Sequence, residues 1–294
     1  MSQNPRPDFI IIGAMKCATS TLHVQLESQP GFHMSEPKEP NFFSDDMEYA
    51  RGLAWYRQLF ADAKPGELRG ESSTHYTKLP TYPQTIARLK EEIGEAPVKL
   101  IYVMRQPVDR LVSHYIHEWT QGVYSADIDS AVKQHREMVD YSCYAKQLQP
   151  WIDAFGKESI LPVFTDSVRK FPQRTLERVC EFLGYAGQPQ WISEKAEQNV
   201  SSLRMRKSDR RERLFKIRWL QWLRRTFLPE SVRNRLKSPW MMTERPELSA
   251  EVRADVERQF DQDLAQLGEW FGMQLSCANW KQVAAETEPQ WKLP

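Results

Sequence analysis

The chain is short of several things that would have classified it quickly. It carries 4 cysteines in 294 residues, at 17, 143, 180 and 277, with no CxxC pair. That excludes a disulfide framework or a zinc module built on paired thiols, and predicts buried, unlinked side chains. No window approaches the ~20 consecutive apolar residues that span a bilayer, and the polar start MSQNPRPDF is no secretory leader. A soluble, cytoplasmic protein is the expectation. Charge of one sign is missing too: 40 Lys and Arg against 39 Asp and Glu give a net charge of +1, so attraction to an anionic partner must come from local patches, and no nucleic-acid partner is indicated. Two nucleotide signatures are also absent. After Gly13, the ATP-type loop G-x-x-x-x-G-K-[ST] would need Gly at 18 and Lys at 19, where Ala18 and Thr19 stand, and G-x-G-x-x-G does not occur.

What is there alternates. DFIIIG, VKLIYVM and ESILPVF read as short, fully buried strands. Helical patterns follow each of them: TSTLHVQLESQP, then PVDRLVSHYIHEWTQG with Pro107 in its first turn, then TDSVRKFPQRTLERVCEFLG as one helix. CYAKQLQPWIDAFG and YPQTIARLKEEIG add further helices, FHMSEPKEPNFFSDD a loop or short edge element, and LRGESSTHYT a strand and turn. The alternation predicts an α/β fold with a central, mainly parallel sheet flanked by helices. The last third differs. LRMRKSDRRERLFKIRWLQWLRR carries ten Lys or Arg against two acids, and SAEVRADVERQFDQDLAQLGEWFG reads as a helix begun by Ser249 and closed by Gly272. The organisation expected is one domain over 1–294, with a basic helical segment at about 204–240 and a closing helix at about 249–272.

Two strand ends carry anion-binding chemistry. The segment GAMKCATST places Lys16, the backbone amides from Cys17 to Thr21 and the hydroxyls of Thr19, Ser20 and Thr21 between a strand and a helix N-terminus. Amides and dipole at such a terminus favour a phosphate. After the second strand, Arg105 offers a bidentate fork and Ser113 a hydroxyl about two turns into the next helix, with Arg110 on a different face. Ligands bind at the carboxyl ends of parallel strands. If these two strands are neighbours, the pair of sites can hold two phosphates of one nucleotide.

Together these segments resemble the sulfotransferase superfamily, which uses 3′-phosphoadenosine 5′-phosphosulfate (PAPS). IIGAMKCATSTLH is similar to its 5′-phosphosulfate loop, with Ala18 where many relatives have glycine. RQPVDRLVSHY matches R-x-P-x-x-R-x-x-S-x-Y, its 3′-phosphate motif, at every fixed position. EPKEPNFFSDD resembles the acidic E-x-x-F-F segment of heparan-sulfate and related carbohydrate sulfotransferases. In GESSTHY, Ser72-Ser73-Thr74 replace the family's Lys-Thr-Pro, so no substrate-binding lysine is expected there. The resemblance implies a P-loop-NTPase-like sulfotransferase fold and sulfuryl transfer from PAPS to a hydroxyl or amine, leaving 3′,5′-ADP, without a metal. It implies that Lys16, with Cys17, Ala18, Thr19, Ser20 and Thr21, holds the 5′-phosphosulfate and that Arg105 and Ser113 hold the 3′-phosphate. Arg204, Arg206 and Lys207 are candidates for a basic loop closing on that phosphate.

For the proton acceptor, Glu39 matches the family's acid before Phe42 and Phe43, aromatics expected to make its surroundings less polar and raise its pKa. An exposed loop glutamate is the plainer reading. His75 is the second candidate base. His114 and His117 have the spacing of a metal pair but no third ligand, and read as structural or surface residues. The expected acceptor is a small molecule or a carbohydrate, and homodimerisation is left open. Two rival readings remain at this level: an atypical nucleotide kinase or other phosphotransferase, and a non-enzymatic nucleotide- or membrane-surface-binding protein acting through residues 204–225.

Overall fold

The structure is a computed structural model and describes residues 5–94, 96–196, 242 and 244–292. The apolar runs become strands buried on both faces. β1 (Phe9–Gly13), β2 (Phe32–Met34), β3 (Leu68–Ser72), β4 (Lys99–Met104) and β5 (Ile160–Phe164) form one parallel sheet in the order β2-β3-β1-β4-β5. Phe9, Ile10, Ile11 and Ile12 are fully buried, as a central strand covered on both sides requires. FHMSEPKEP supplies the edge strand β2 as well as a loop.

Helices fill the connections: α1 (Thr19–Glu27), α2 (Asp46–Tyr49), α3 (Leu53–Gln58), α4 (Thr85–Ile93), α5 (Pro107–Gln121), α6 (Ile128–Gln134), α7 (Glu137–Asp140) and α8 (Tyr144–Phe155). Then come α9 (Thr165–Lys170), α10 (Pro172–Leu183), α11 (Ser193–Ala196), α12 (Ala250–Phe271) and α13 (Trp280–Glu286). The single helix expected over TDSVRKFPQRTLERVCEFLG is two. Pro172 disfavours helical backbone at the residue before it, and Phe171 leaves the helical region at φ −132°, ψ 59°. The closing helix runs where expected, with the Ser249 hydroxyl accepting from the Val252 N–H and Gly272 left-handed at its end. It packs on α8 and α5. The chain beyond it adds α13, which the periodicity did not reveal. Its Trp280 is fully buried against Phe164 and Tyr144.

All four cysteines are free and buried. Among the described residues no helix is long and apolar enough to cross a membrane, and no cluster of His, Cys, Asp and Glu is arranged to hold a metal. The basic segment at about 204–240, with Arg204, Arg206 and Lys207, lies outside the described residues.

Candidate active site

β1 and β4 are direct neighbours, with Gly13 opposite Tyr102, so the two anion-binding loops lie side by side at the carboxyl edge of the sheet. A cleft of about 750 Å³ opens there. Met15, Lys16, Ala18, Thr19, Ser20 and Thr21 line it from the first loop, Arg105 and Ser113 from the second, and Glu39 and His75 from the turns after β2 and β3. Among the described residues, those predicted from the sequence are thus brought together, with one exception. Cys17 is fully buried, its Sγ turned inward 3.8 Å from the Tyr144 hydroxyl.

The first loop is fixed from below. Its Cys17 amide donates to the Ala14 carbonyl and its Thr21 amide to that of Ala18, at 3.2 and 3.1 Å. The Cys17 amide is therefore already paired within the loop, and its side chain faces away from the cleft. The amides of Ala18, Thr19 and Ser20, at the open first turn of α1, remain as donors. Lys16 and Ala18 have φ of 69° and 62°, and across the cleft Glu39 and Asn41 have 58° and 50°. Such left-handed non-glycine residues cost about 1–3 kcal/mol each and gather where geometry serves function.

The second loop hangs on α8. The Tyr144 hydroxyl donates to the Arg105 carbonyl at 2.6 Å and accepts from the Arg105 N–H at 3.1 Å. The Gln106 side chain caps α5 by accepting from the Asp109 N–H at 2.7 Å. Arg110 does point elsewhere, as its helical phase predicts: it is fully buried, donating to Ser142 Oγ at 2.6 Å and the Met138 carbonyl at 2.9 Å. Among the described residues neither Lys16 nor Arg105 has an ion-pair or side-chain hydrogen-bond partner, and burial together with the Arg105 charge pushes the Lys16 ammonium below its ordinary pKa. Two unpaired cations held close together in a half-buried cleft are a receptor for anions.

The opposite wall holds the titratable groups. Glu39 Oε1 accepts from Lys38 Nζ at 2.6 Å and Oε2 from the Thr74 hydroxyl at 3.1 Å. Burial would raise its carboxyl, but Lys38 and Thr74 outweigh it and hold Glu39 below the usual carboxylate value. The expectation of an elevated pKa from Phe42 and Phe43 is corrected. Both rings are buried away from it, in a cluster with Tyr56. Burial and the Lys78 charge hold His75 near 4; its ring stacks on Tyr82, and its Nδ1 is buried without a partner among the described residues. His114 is structural, buried and stacked on Tyr141. His117 instead lines the cleft, one turn beyond Ser113 on the same helix face. Glu118, Thr74 and Lys78 also line it from the segments of His117 and His75, and Val168, Arg169, Pro172 and Trp191 join them from more distant parts of the chain.

A parallel α/β sheet whose two adjacent strand ends present phosphate-type sites defines a nucleotide-binding crevice at the switch point of the chain. Comparison with known proteins narrows the class. Residues 6–268 match the sulfotransferase domain, and the chain belongs to that family. It is similar to heparan sulfate glucosamine 3-O-sulfotransferase 3B1 of Mus musculus, 31% identical over 187 residues, which cover 60% of this chain and 46% of that protein. It is also similar to the bifunctional heparan sulfate N-deacetylase/N-sulfotransferase 2 of Homo sapiens, 26% identical over 200 residues, 60% of this chain and 22% of that protein. The chain therefore corresponds to less than half the length of either relative. A crystal structure of a sulfotransferase from Alicyclobacillus acidocaldarius shares the fold, with a TM-score of 0.65 and 20% identity over 94% of this chain and 99% of that one.

Proposed function

We propose that this chain is a PAPS-dependent sulfotransferase, one domain throughout, that passes the sulfuryl group to a carbohydrate or small-molecule hydroxyl or amine. The observation that carries the reading is the adjacency of the two anion sites, Lys16 with the amides of residues 18–20 beside Arg105 with Ser113. Their spacing on neighbouring strand ends suits one nucleotide phosphorylated at both the 5′ and 3′ positions. Val168, Pro172 and Trp191 offer an apolar wall for its base. The unpaired ammonium of Lys16 and the Arg105 guanidinium fit the donor, whose anionic groups would satisfy both.

In the reaction the bond from sulfur to the 5′-phosphate oxygen breaks with its electron pair going to that oxygen, where Lys16 meets the charge. The acceptor oxygen or nitrogen forms the new bond to sulfur and gives its proton to Glu39, which Thr74 and Lys38 hold in one orientation. His75, kept neutral, lines the acceptor side as a second candidate proton acceptor. A carbohydrate acceptor is favoured by the names of the heparan sulfate relatives. A kinase reading finds no G-K-[ST] in the first loop.

Thermal unfolding tests the reading. PAPS or 3′,5′-ADP at about 100 times its dissociation constant adds roughly 2.7 kcal/mol and raises Tm by several degrees, whereas ATP does not. Stabilisation by ATP with none by 3′,5′-ADP would refute it.

A further inference from the structure

Lys78 is a buried cation whose role the sequence did not suggest. It follows the turn Thr74–Thr77, with its amide donating to the His75 carbonyl at 3.2 Å and its own carbonyl accepting from the Tyr82 N–H at 3.2 Å. The residue is 8% exposed, yet it lines the same cleft as Lys16, Glu39 and Glu118, whose charges it feels. Its ammonium makes no ion pair and no hydrogen bond with any described residue; the nearest aromatic face, that of Tyr141, is 5.8 Å from Nζ.

The neighbouring acids are already engaged. Glu39 is held by Lys38 at 2.6 Å and Thr74 at 3.1 Å, and Glu118 lies 3.6 Å from His114 Nε2. Burial lowers the Lys78 ammonium to about 8, with Glu39 and Glu118 opposing the shift. It is still mostly charged at neutral pH. An ammonium shielded from water and left without a partner is costly unless an anion joins it.

Resting on the function proposed above, we infer that Lys78 binds a non-bridging oxygen of the sulfuryl group. Two of the donor's three anionic groups are matched by Lys16 with its loop and by Arg105 with Ser113. The third must lie between Lys16 on the leaving side and Glu39 on the attacking side, and Lys78 lines the cleft with both and feels the charge of each. The contact would exist before and during transfer, holding sulfur in line between the two oxygens.

This separates two ligands that differ by one group. With no acceptor present, calorimetry of PAPS and of 3′,5′-ADP is compared in the wild type, Lys78→Met and Lys78→Arg. Lys78→Met is expected to weaken PAPS by about tenfold or more and 3′,5′-ADP less than twofold, with Lys78→Arg restoring part of the difference. The retained 3′,5′-ADP affinity shows that the variant is folded. If Lys78→Met does not fold, Lys78→Gln, which keeps a polar tip on a shorter stem, carries the same comparison. Equal weakening of both ligands, or no weakening of PAPS, would overturn the assignment of Lys78. A wild type that binds neither ligand would instead overturn the PAPS reading itself.

Discussion

Tyr144→Phe isolates how the sheet edge is wired to the cleft, because it removes one oxygen and keeps the ring. Tyr144 is fully buried at the start of α8, and its hydroxyl satisfies both backbone groups of Arg105. Without it, the Arg105 N–H and carbonyl lose these partners beneath the cleft, where an unsatisfied buried group costs about 1–3 kcal/mol. The ring contacts to Tyr102 and Trp280 survive, so little packing is lost. The sum over the two groups is a destabilisation of roughly 2–6 kcal/mol. It is read as a shift of the urea midpoint at unchanged slope. Because Arg105 is freed at its backbone, 3′,5′-ADP affinity should also fall several-fold although Tyr144 does not line the cleft. A variant that unfolds within about 0.5 kcal/mol of the wild type and binds 3′,5′-ADP equally well would show that the Tyr144 hydroxyl does not hold the second loop.

Two further outcomes follow from the titratable groups. His23 and His114 are buried and held near 4 in the fold, below the ordinary 6.5. The unfolded chain therefore binds more protons between those values, and stability is lost as pH falls from about 6.5 toward 4, by about 2 kcal/mol for each ring at pH 5. Urea midpoints at pH 7 and pH 5 should show this, with a smaller drop in His114→Gln; an identical drop would remove His114 from the account. Glu39→Gln should abolish sulfuryl transfer while leaving 3′,5′-ADP affinity within about twofold, and full retained turnover would pass the proton to His75 or to the acceptor itself.

How much could be read beforehand depended on whether the signal was local. β1 and β4 were legible because each is an apolar run ended by a residue with a task, Gly13 or Arg105, whereas their adjacency was a condition that the sheet order supplies. Ser113 and His117 lay one turn apart in plain sight, but His117 was weighed only with His114 and read as a structural or surface residue. Lys78 and Trp191 carry no such mark. One follows the turn after β3 and the other precedes α11, and only the packing of the sheet and its helices makes them neighbours of Lys16. The surroundings of Glu39 were misread for a related reason. Adjacency to Phe42 and Phe43 suggested an apolar environment, but the backbone is left-handed at Glu39 and Asn41, the rings pack against Tyr56, and the carboxylate is held by Lys38.

That correction bears on how a base would work here. A carboxylate held below its usual pKa is a weak base toward a free hydroxyl, so proton transfer to Glu39 is uphill until the new bond to sulfur draws charge from the attacking oxygen. The depressed value nevertheless has a use in the proposed complex. PAPS brings several negative charges into a cleft whose cations, Lys16, Arg105 and Lys78, otherwise face Glu39 and Glu118. Bound anions neutralise those cations and push a neighbouring carboxyl upward. A glutamate with no cation beside it would start this rise from a higher value. Starting low, with Lys38 at 2.6 Å to orient it, Glu39 gains basicity as the donor's negative charge arrives.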